Sequence, residues 1–112
     1  MVLYVLKWDI PPETREEYAR WIGLAIECSL AVPGVVEYRA YGTVAGPTRK
    51  VATYEFADLA AWQAWYSHPD IQRVLGEWES LTTNRSRDLW GPDGFAIRPN
   101  DAKSGEDGGK GL

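Results

Sequence analysis

The 112-residue chain contains one cysteine, Cys28, and one histidine, His68. A single cysteine excludes a disulfide within the chain and any metal cluster held by several cysteines. A single histidine excludes His-rich metal sites and a haem held by two histidines of one chain. These metal and haem sites are thus excluded, and we expect no metal and no cofactor.

Long apolar runs and an excess of positive charge are also missing. No stretch approaches the ~20 apolar residues that cross a bilayer, and a formal net charge of −4 offers no attraction to phosphate backbones. The first ten residues lack the basic leader and the small-residue cleavage site of a secretory signal. We predict a cytoplasmic protein whose partners include neither a membrane nor a nucleic acid.

Tryptophan, by contrast, is abundant, with six residues in the chain. Large flat side chains are costly to leave in water, so they predict buried interfaces or pockets. The length suits a single domain. From Arg98 onward the chain is mostly polar and rich in glycine, which cannot offset the entropy of ordering. We predict a folded domain over residues 1–97 and a flexible tail over 98–112.

Two segments, 36–42 and 50–56, alternate between apolar and polar residues, which predicts strands with two different faces. In the first strand, one face carries Val36, Tyr38 and Ala40 and the other carries Glu37, Arg39 and Tyr41. In the second, Ala52, Tyr54 and Phe56 oppose Val51, Thr53 and Glu55. The glycine-containing connection predicts that the two strands are antiparallel neighbours.

The remaining elements follow from helix signals. A strand over 3–8 precedes a capping box at Thr14–Glu17, and the first helix then carries an apolar stripe of Tyr18, Trp21, Ile22, Ala25, Ile26 and Leu30. Asp58 predicts the cap of a second helix, with Leu59 on its apolar stripe. Pro69 predicts a break in that helix and a restart at Asp70. The restarted helix carries an apolar stripe, which predicts a core-facing side: Ile71, Val74, Leu75, Trp78 and Leu81. We expect Asn84 to end it, before a final strand over 85–90.

The predicted order βαββαβ is that of the ferredoxin-like α+β fold with an antiparallel sheet. Both crossover helices then cover one face of the sheet, which leaves the other face bare. Pairing with a second copy, sheet to sheet, would cover that face and its strand edges. We therefore expect a homodimer.

Three segments resemble the dimeric α/β-barrel superfamily, and most closely its antibiotic-biosynthesis-monooxygenase-like branch. These are VPGVVEYRAYG at 32–42, VATYEFADLAAWQAW at 51–65 and YSHPDIQ at 66–72. The resemblance spans roughly residues 2–95. It implies a dimeric barrel and, in the oxygenases of the branch, aromatic substrates whose carbanions react with dioxygen without a cofactor. Other relatives are haem-degrading enzymes, lactone isomerases, polyketide cyclases and proteins without known activity.

The haem-degrading branch shares a tryptophan that aligns with Trp65. Its histidine and its asparagine, however, align with Leu75 and approximately with Trp8. Because two of the three signature residues are missing, the resemblance disfavours haem degradation. We expect a small monooxygenase-like protein that binds an aromatic or enolisable molecule inside the barrel. A non-catalytic binding or assembly module, or a lactone isomerase or cyclase, is the alternative.

His68 is the only side chain that ordinarily titrates near neutrality, which makes it a candidate general base or single axial ligand. The simpler interpretation is that it caps the helix break. Lys7, Arg39, Tyr41 and Glu55 share the bare face. An Arg39–Glu55 pair would leave Lys7 and Tyr41 to meet a ligand, or all four form contacts between chains or a solvated surface.

The aromatic candidates are Trp8 and Trp65. We place Trp8, like Trp90, near the end of an outer strand, where it could line an opening or contact a second chain, whereas Trp65 could line a pocket or belong to the core. Cys28 has no basic neighbour in sequence that would activate it, so we assign it to packing. The predicted site residues are thus His68, Arg39 and Tyr41 for catalysis, and Lys7, Trp8, Glu55 and Trp65 for ligand binding.

Overall fold

The computed structural model describes residues 1–46 and 49–92. It contains four strands, β1 (Val2–Asp9), β2 (Val35–Gly42), β3 (Lys50–Phe56) and β4 (Thr83–Trp90), and three α-helices, α1 (Arg15–Ala31), α2 (Leu59–Tyr66) and α3 (Pro69–Leu81). One 3₁₀ turn, Pro12–Thr14, precedes α1. The predicted boundary between 1–97 and a tail over 98–112 lies outside the described residues.

The four strands form one antiparallel sheet in the order β2-β3-β1-β4. The first and third strands of the chain therefore lie in the middle, and the α1 and α2–α3 crossovers return the chain to the sheet. This topology confirms the predicted ferredoxin-like α+β fold. No helix of the described residues has the length and apolar character needed to span a membrane.

The predicted alternation of β2 and β3 is confirmed by their register. Tyr38 lies opposite Tyr54 and Ala40 opposite Ala52, and Tyr54, Ala52 and Phe56 contribute to the side of the sheet that the helices cover. Val36 is the exception. It lies at a register shift between Val35 and Glu37 and is 60% exposed.

The start of α1 differs from the prediction. Thr14 precedes the helix, but its side chain forms no capping hydrogen bond. Its hydroxyl donates instead to the carbonyl of Leu81 at 2.7 Å. The predicted capping box is therefore wrong: Thr14 has φ −111° and ψ 7° instead of the extended backbone that directs an N-cap oxygen toward the first helix amides.

The predicted cap and break of the second helical segment are confirmed. The Asp58 carboxylate accepts a hydrogen bond from the Ala61 amide at 2.8 Å. The helix is interrupted between Tyr66 and Pro69. The third helix begins at Pro69, one residue before the predicted restart, because proline suits the first turn of a helix, where no amide donor is needed.

Burial follows the predicted stripe of α3 closely and that of the other helices less closely. All five predicted apolar residues of α3 are buried: Ile71, Val74, Leu75, Trp78 and Leu81. Leu30 and Leu59 were expected in apolar stripes but are 45% and 53% exposed. In α1, Ser29 is buried in the place of a larger apolar residue, at 2% exposure.

Two residues near the ends of helices have a positive φ angle, Gly34 and Asn84. The first helix ends at Ala31, before Pro33-Gly34. Gly34 has φ +130°, a conformation that residues with side chains rarely adopt. A Cβ there would lie 3.4 Å from the Ala61 carbonyl oxygen. Asn84 does not end α3. It lies in β4 with a left-handed φ of 52°, a conformation that asparagine tolerates better than most residues.

Candidate functional site

The sheet has one face covered by helices and one that no helix of the described residues covers. We name the second the open face. It carries Lys7 of β1, Arg39 and Tyr41 of β2, and Glu55 of β3, because these residues alternate with the helix-facing ones and pair across the strands in register. The structure thus brings four of the seven predicted site residues onto one surface.

The predicted Arg39–Glu55 pair is not formed. Arg39 lies opposite Thr53, whereas Glu55 lies opposite Glu37. The Arg39 Nε donates to Glu37 Oε1 at 2.9 Å, two residues away on the same strand. The hydrogen bond with Glu37, followed by that with Tyr41, raises the pKa of Arg39. Two carboxylates therefore face each other across β2 and β3, and the guanidinium neutralises only the one on its own strand.

At the other side of the open face, Lys7 lies near an aromatic ring. Its Nζ is 6.0 Å from the ring centroid of Trp90 on β4, the outer limit of a cation–π contact. Trp90 is 51% exposed. Neither Lys7 nor Trp90 lines any of the four clefts and cavities identified among the described residues.

His68 lies away from the open face, between α2 and α3. Its Nδ1 accepts a hydrogen bond from the amide of Asp70 at 3.1 Å. The Asp70 carboxylate lies 3.8 Å from the same nitrogen. The predicted capping role is thus present in the structure, and it requires a ring nitrogen with a free lone pair.

Trp8 and Trp65 lie on the helix-covered side of the sheet. Trp8 was expected at the end of an outer strand, but β1 is an inner strand and Trp8 is buried, 6% exposed. Its indole N–H donates to the Tyr18 hydroxyl at 3.1 Å. Trp65 is 2% exposed and donates to the carbonyl of Ser29 at 2.9 Å.

Both tryptophans line a cavity between the sheet and helices α1, α2 and α3, which we name the helix-side cavity. Protein atoms leave about 490 Å³ empty there, part of it open to solvent. The enclosed cavity has a volume of about 50 Å³, which is room for a few water molecules. A larger molecule requires the surrounding side chains to move.

The helix-side cavity is apolar and aromatic, with a few hydrogen-bonding groups. Tyr54 and Ser29 share a hydrogen bond of 3.0 Å between their hydroxyl oxygens, and Tyr38 also lines the cavity. Trp78 is 4% exposed, and its buried indole N–H has no acceptor within the part of the chain that the structure describes. No Asp, Glu, His, Lys or Arg is among the described lining residues.

Burial controls the ionisation of the cavity phenols. It raises the pKa of Tyr54 well above the ordinary value, although the hydrogen bond with Ser29 lowers it in part. Burial likewise raises the pKa of Tyr38. Both phenols therefore stay protonated at neutral pH and act as hydrogen-bond donors rather than as bases.

Sequence reasoning missed Tyr38, Tyr54 and Ser29 as cavity residues, and it treated Trp78 as core. A signal was present for the tyrosines, since hydroxyl-bearing residues occupy the apolar face of both alternating strands. No sequence signal pointed to Trp78, because only the packed structure shows that its indole N–H lacks an acceptor.

Cys28 has a basic neighbour after all. The Arg73 guanidinium of α3 lies 3.4 Å from its sulfur, a contact across two helices that the sequence does not reveal. Within residues 1–46 and 49–92, no group of three His, Cys, Asp or Glu side chains is placed to hold a metal ion.

Several solved structures have the same fold. A ferredoxin-like protein of the dabb family from Mesorhizobium loti is 20% identical, with a TM-score of 0.72 over 83% of this chain and 97% of that one. SnoaB, a cofactor-independent oxygenase from Streptomyces nogalater, is 14% identical, with a TM-score of 0.69 over 87% and 97%. A dimeric ferredoxin-like protein from Thermobifida fusca is 14% identical, with a TM-score of 0.67 over 81% and 90%.

No curated protein sequence matches this chain. The sequence model of the antibiotic biosynthesis monooxygenase family, however, matches residues 1–80. That span includes β1 to β3, α1, α2 and nearly all of α3, and hence all seven predicted site residues. The chain therefore belongs to the antibiotic biosynthesis monooxygenase family.

Proposed function

We propose that this protein is a homodimer that binds an aromatic or enolisable small molecule in the helix-side cavity and oxygenates it without a cofactor. The observation that supports this most is a set of neutral polar groups in an apolar, aromatic cavity: the hydroxyls of Tyr38 and Tyr54, and the Trp78 indole N–H, which has no acceptor among residues 1–46 and 49–92. Membership of the family and the fold shared with SnoaB are consistent with it. The sequence had instead predicted that the ligand contacts the open face, inside the barrel.

The donors suit a substrate that becomes an anion in the cavity. Hydrogen bonds from phenols and an indole stabilise an enolate oxygen, and a low-dielectric surrounding strengthens them. Because no basic side chain lines the described cavity, the substrate must be acidic enough to lose its proton to water or hydroxide. This limits the class to readily ionised compounds, such as anthrones and hydroquinones.

For a methylene substrate the balanced reaction is R₂CH₂ + O₂ → R₂C=O + H₂O. The carbanion adds to dioxygen to form a C–O bond and, after protonation, a hydroperoxide. Loss of water from the hydroperoxide breaks the O–O bond and the second C–H bond and leaves the ketone. The protein binds, orients and stabilises the anion, and the substrate supplies the electrons that reduce oxygen.

The open face fits a second copy of the chain. Tyr41 and Trp90 on this face are 49% and 51% exposed within one chain. Covering this face with an identical face would bury those aromatic groups and would keep helices on the outside. Lys7, Arg39, Tyr41 and Glu55 then serve the interface between the two sheets.

The test is oxygen uptake with anthrone as the probe. We expect turnover by the unaltered protein and a loss of roughly tenfold to a hundredfold in kcat for Trp78→Phe, which removes one donor to the anion. Trp62→Phe is the matched control. Its indole N–H is also buried without an acceptor in the described residues, but Trp62 does not line the helix-side cavity.

Three results would contradict the proposal. One is the absence of turnover on anthrone and on a naphthohydroquinone, which would favour a binding or assembly module. Another is an equal loss in both tryptophan variants. The third is substrate consumption that continues without oxygen, which would indicate an isomerase or a cyclase.

A further inference from the structure

A second cleft lies at the end of the sheet where β1 ends and where β3 and β4 begin. It has a volume of about 510 Å³. Its polar lining consists of Arg15, Arg49, Lys50, Asp9, Thr83 and Asn84. We name it the strand-end cleft. It shares none of its lining residues with the helix-side cavity.

The strand-end cleft concentrates positive charge in an acidic chain. Three of its side chains are cationic and one is anionic, whereas the formal charge of the whole chain is −4. None of the three cations forms an ion pair within the described residues, although Arg39, Arg73 and Arg87 each do. Unpaired cations that converge on a concave surface attract anions.

The one carboxylate of the cleft is already occupied. Asp9 accepts a hydrogen bond from the Arg49 amide at 3.0 Å through Oδ1, and one from the Asn84 side-chain amide at 2.9 Å through Oδ2. Asp9 therefore holds β3 and β4 at this corner. It does not form an ion pair with the three cationic side chains.

The backbone of the corner is also unusual. The β1–β4 register shifts between Lys7 and Asp9, and Asn84 has the left-handed φ of 52°. Bulges and left-handed non-glycine residues are concentrated at binding sites, where they aim side chains that a regular strand would direct elsewhere. Here they bring the Asn84 amide to Asp9.

We propose that the strand-end cleft binds the anionic group, a phosphate or a carboxylate, of a small molecule. Two guanidinium groups suit such oxyanions because each presents parallel N–H donors, and Lys50 adds a third positive charge. The space matches a small ligand. This site is independent of the proposed oxygenation, since it uses other residues and stands whether or not the cavity is catalytic.

The test is an NMR titration of the full-length, ¹⁵N-labelled protein at constant ionic strength. Inorganic phosphate and citrate are the two probes, and chloride is the reference anion. We expect saturable shifts of the amides of Ile10, Arg15, Arg49, Lys50 and Asn84. Saturation by phosphate alone would identify a phosphate site, and saturation by citrate alone a carboxylate site.

Variants then assign the shifts to the cationic side chains. Arg15→Gln and Arg49→Gln should each weaken the binding of the preferred anion at least threefold, and the double variant at least tenfold. Arg20→Gln is the matched control, because Arg20 is an exposed arginine of the same helix outside the cleft. A dispersed spectrum of each variant verifies folding.

The proposal is overturned if the shifts rise linearly with both anions, or if they spread over all the basic residues. It is also overturned if the double variant binds as well as the unaltered protein. Loss of anion binding leaves the anthrone assay unaffected, and absence of anthrone turnover leaves the titration unaffected, so the two proposals fail separately.

Discussion

The hydroxyl of Thr14 donates a 2.7 Å hydrogen bond to the carbonyl of Leu81 and so joins the beginning of α1 to the end of α3. The last carbonyls of a helix lack partners within the helix, and this side chain supplies one of them. The contact thus joins two of the helices whose side chains line the helix-side cavity.

Replacing Thr14 by alanine should remove this link. We expect Thr14→Ala to lower the free energy of unfolding by about 1 kcal/mol, the usual contribution of one such hydrogen bond. Thr14→Ser keeps the hydroxyl and should lose less than half as much. Urea unfolding followed by tryptophan fluorescence measures both values. Equal losses in the two variants would assign the effect to the methyl group instead.

His68 provides a second comparison, because a cap and a general base respond differently to substitution. His68→Ala removes the acceptor for the Asp70 amide and should cost about 1 kcal/mol of stability. His68→Asn restores an acceptor at the cap and should retain both stability and oxygen uptake. A general base would instead lose turnover in both variants, so the asparagine variant separates the two roles.

The buried tyrosines make the fold sensitive to alkali. Burial raises the pKa values of Tyr4, Tyr18, Tyr38 and Tyr54 in the folded state, whereas in the unfolded chain they titrate near the ordinary value of about 10. Above that pH the unfolded state releases protons that the folded state retains. The stability contributed by these neutral phenols is thus complete below about pH 10 and is lost as the pH rises toward the folded values.

We therefore expect the free energy of unfolding to fall with increasing pH above about 10, and to fall less steeply in Tyr54→Phe. Tyrosinate absorbance and far-UV circular dichroism, recorded on the same samples, measure ionisation and folding together. Ionisation of all tyrosines in one step near the ordinary pKa, with the fold intact, would contradict the expectation.

The proposed dimer depends on the middle of the open face. Thr53 lies there, opposite both Val5 and Arg39, so Thr53→Arg would place two extra charges between the paired sheets. We expect the dissociation constant of the dimer to rise more than a hundredfold, about 3 kcal/mol. Light scattering should then change from twice 12.6 kDa to 12.6 kDa.

The matched control is Leu24→Arg, which adds the same charge on the outer side of α1, where Leu24 is 69% exposed. It should remain a dimer. A single-chain mass for the unaltered protein, or dimers in both variants, would contradict the assignment of the open face as the interface.

Local patterns were enough to predict most of the fold. Alternation in β2 and β3, the Asp58 cap and the break at Pro69 each depend on neighbouring residues, so the sequence carries them directly. The predictions that failed depend on distant partners. The Thr14 hydroxyl donates to the carbonyl of Leu81, 67 residues away. Trp8 lies on an inner strand because β4, from the other end of the fold, pairs with β1.

The site was harder to predict for the same reason. Alternation along the strands predicts that one face carries Lys7, Arg39, Tyr41 and Glu55. The side of the sheet that encloses a cavity, however, depends on how three helices pack against it. The partner of Arg39 could not be read from the strands either. A cross-strand pair and a same-strand pair with Glu37 use the same residue types, and only the register places Glu37 rather than Arg39 opposite Glu55.

The charged side chains of the outer strand β4 oppose the addition of further strands to the sheet. All eight of its residues are exposed, and three of them are charged: Arg85, Arg87 and Asp88. An unprotected strand edge invites further strands to add without end, and charged side chains along it oppose such addition. Open-ended polymers built through the β4 edge are therefore disfavoured.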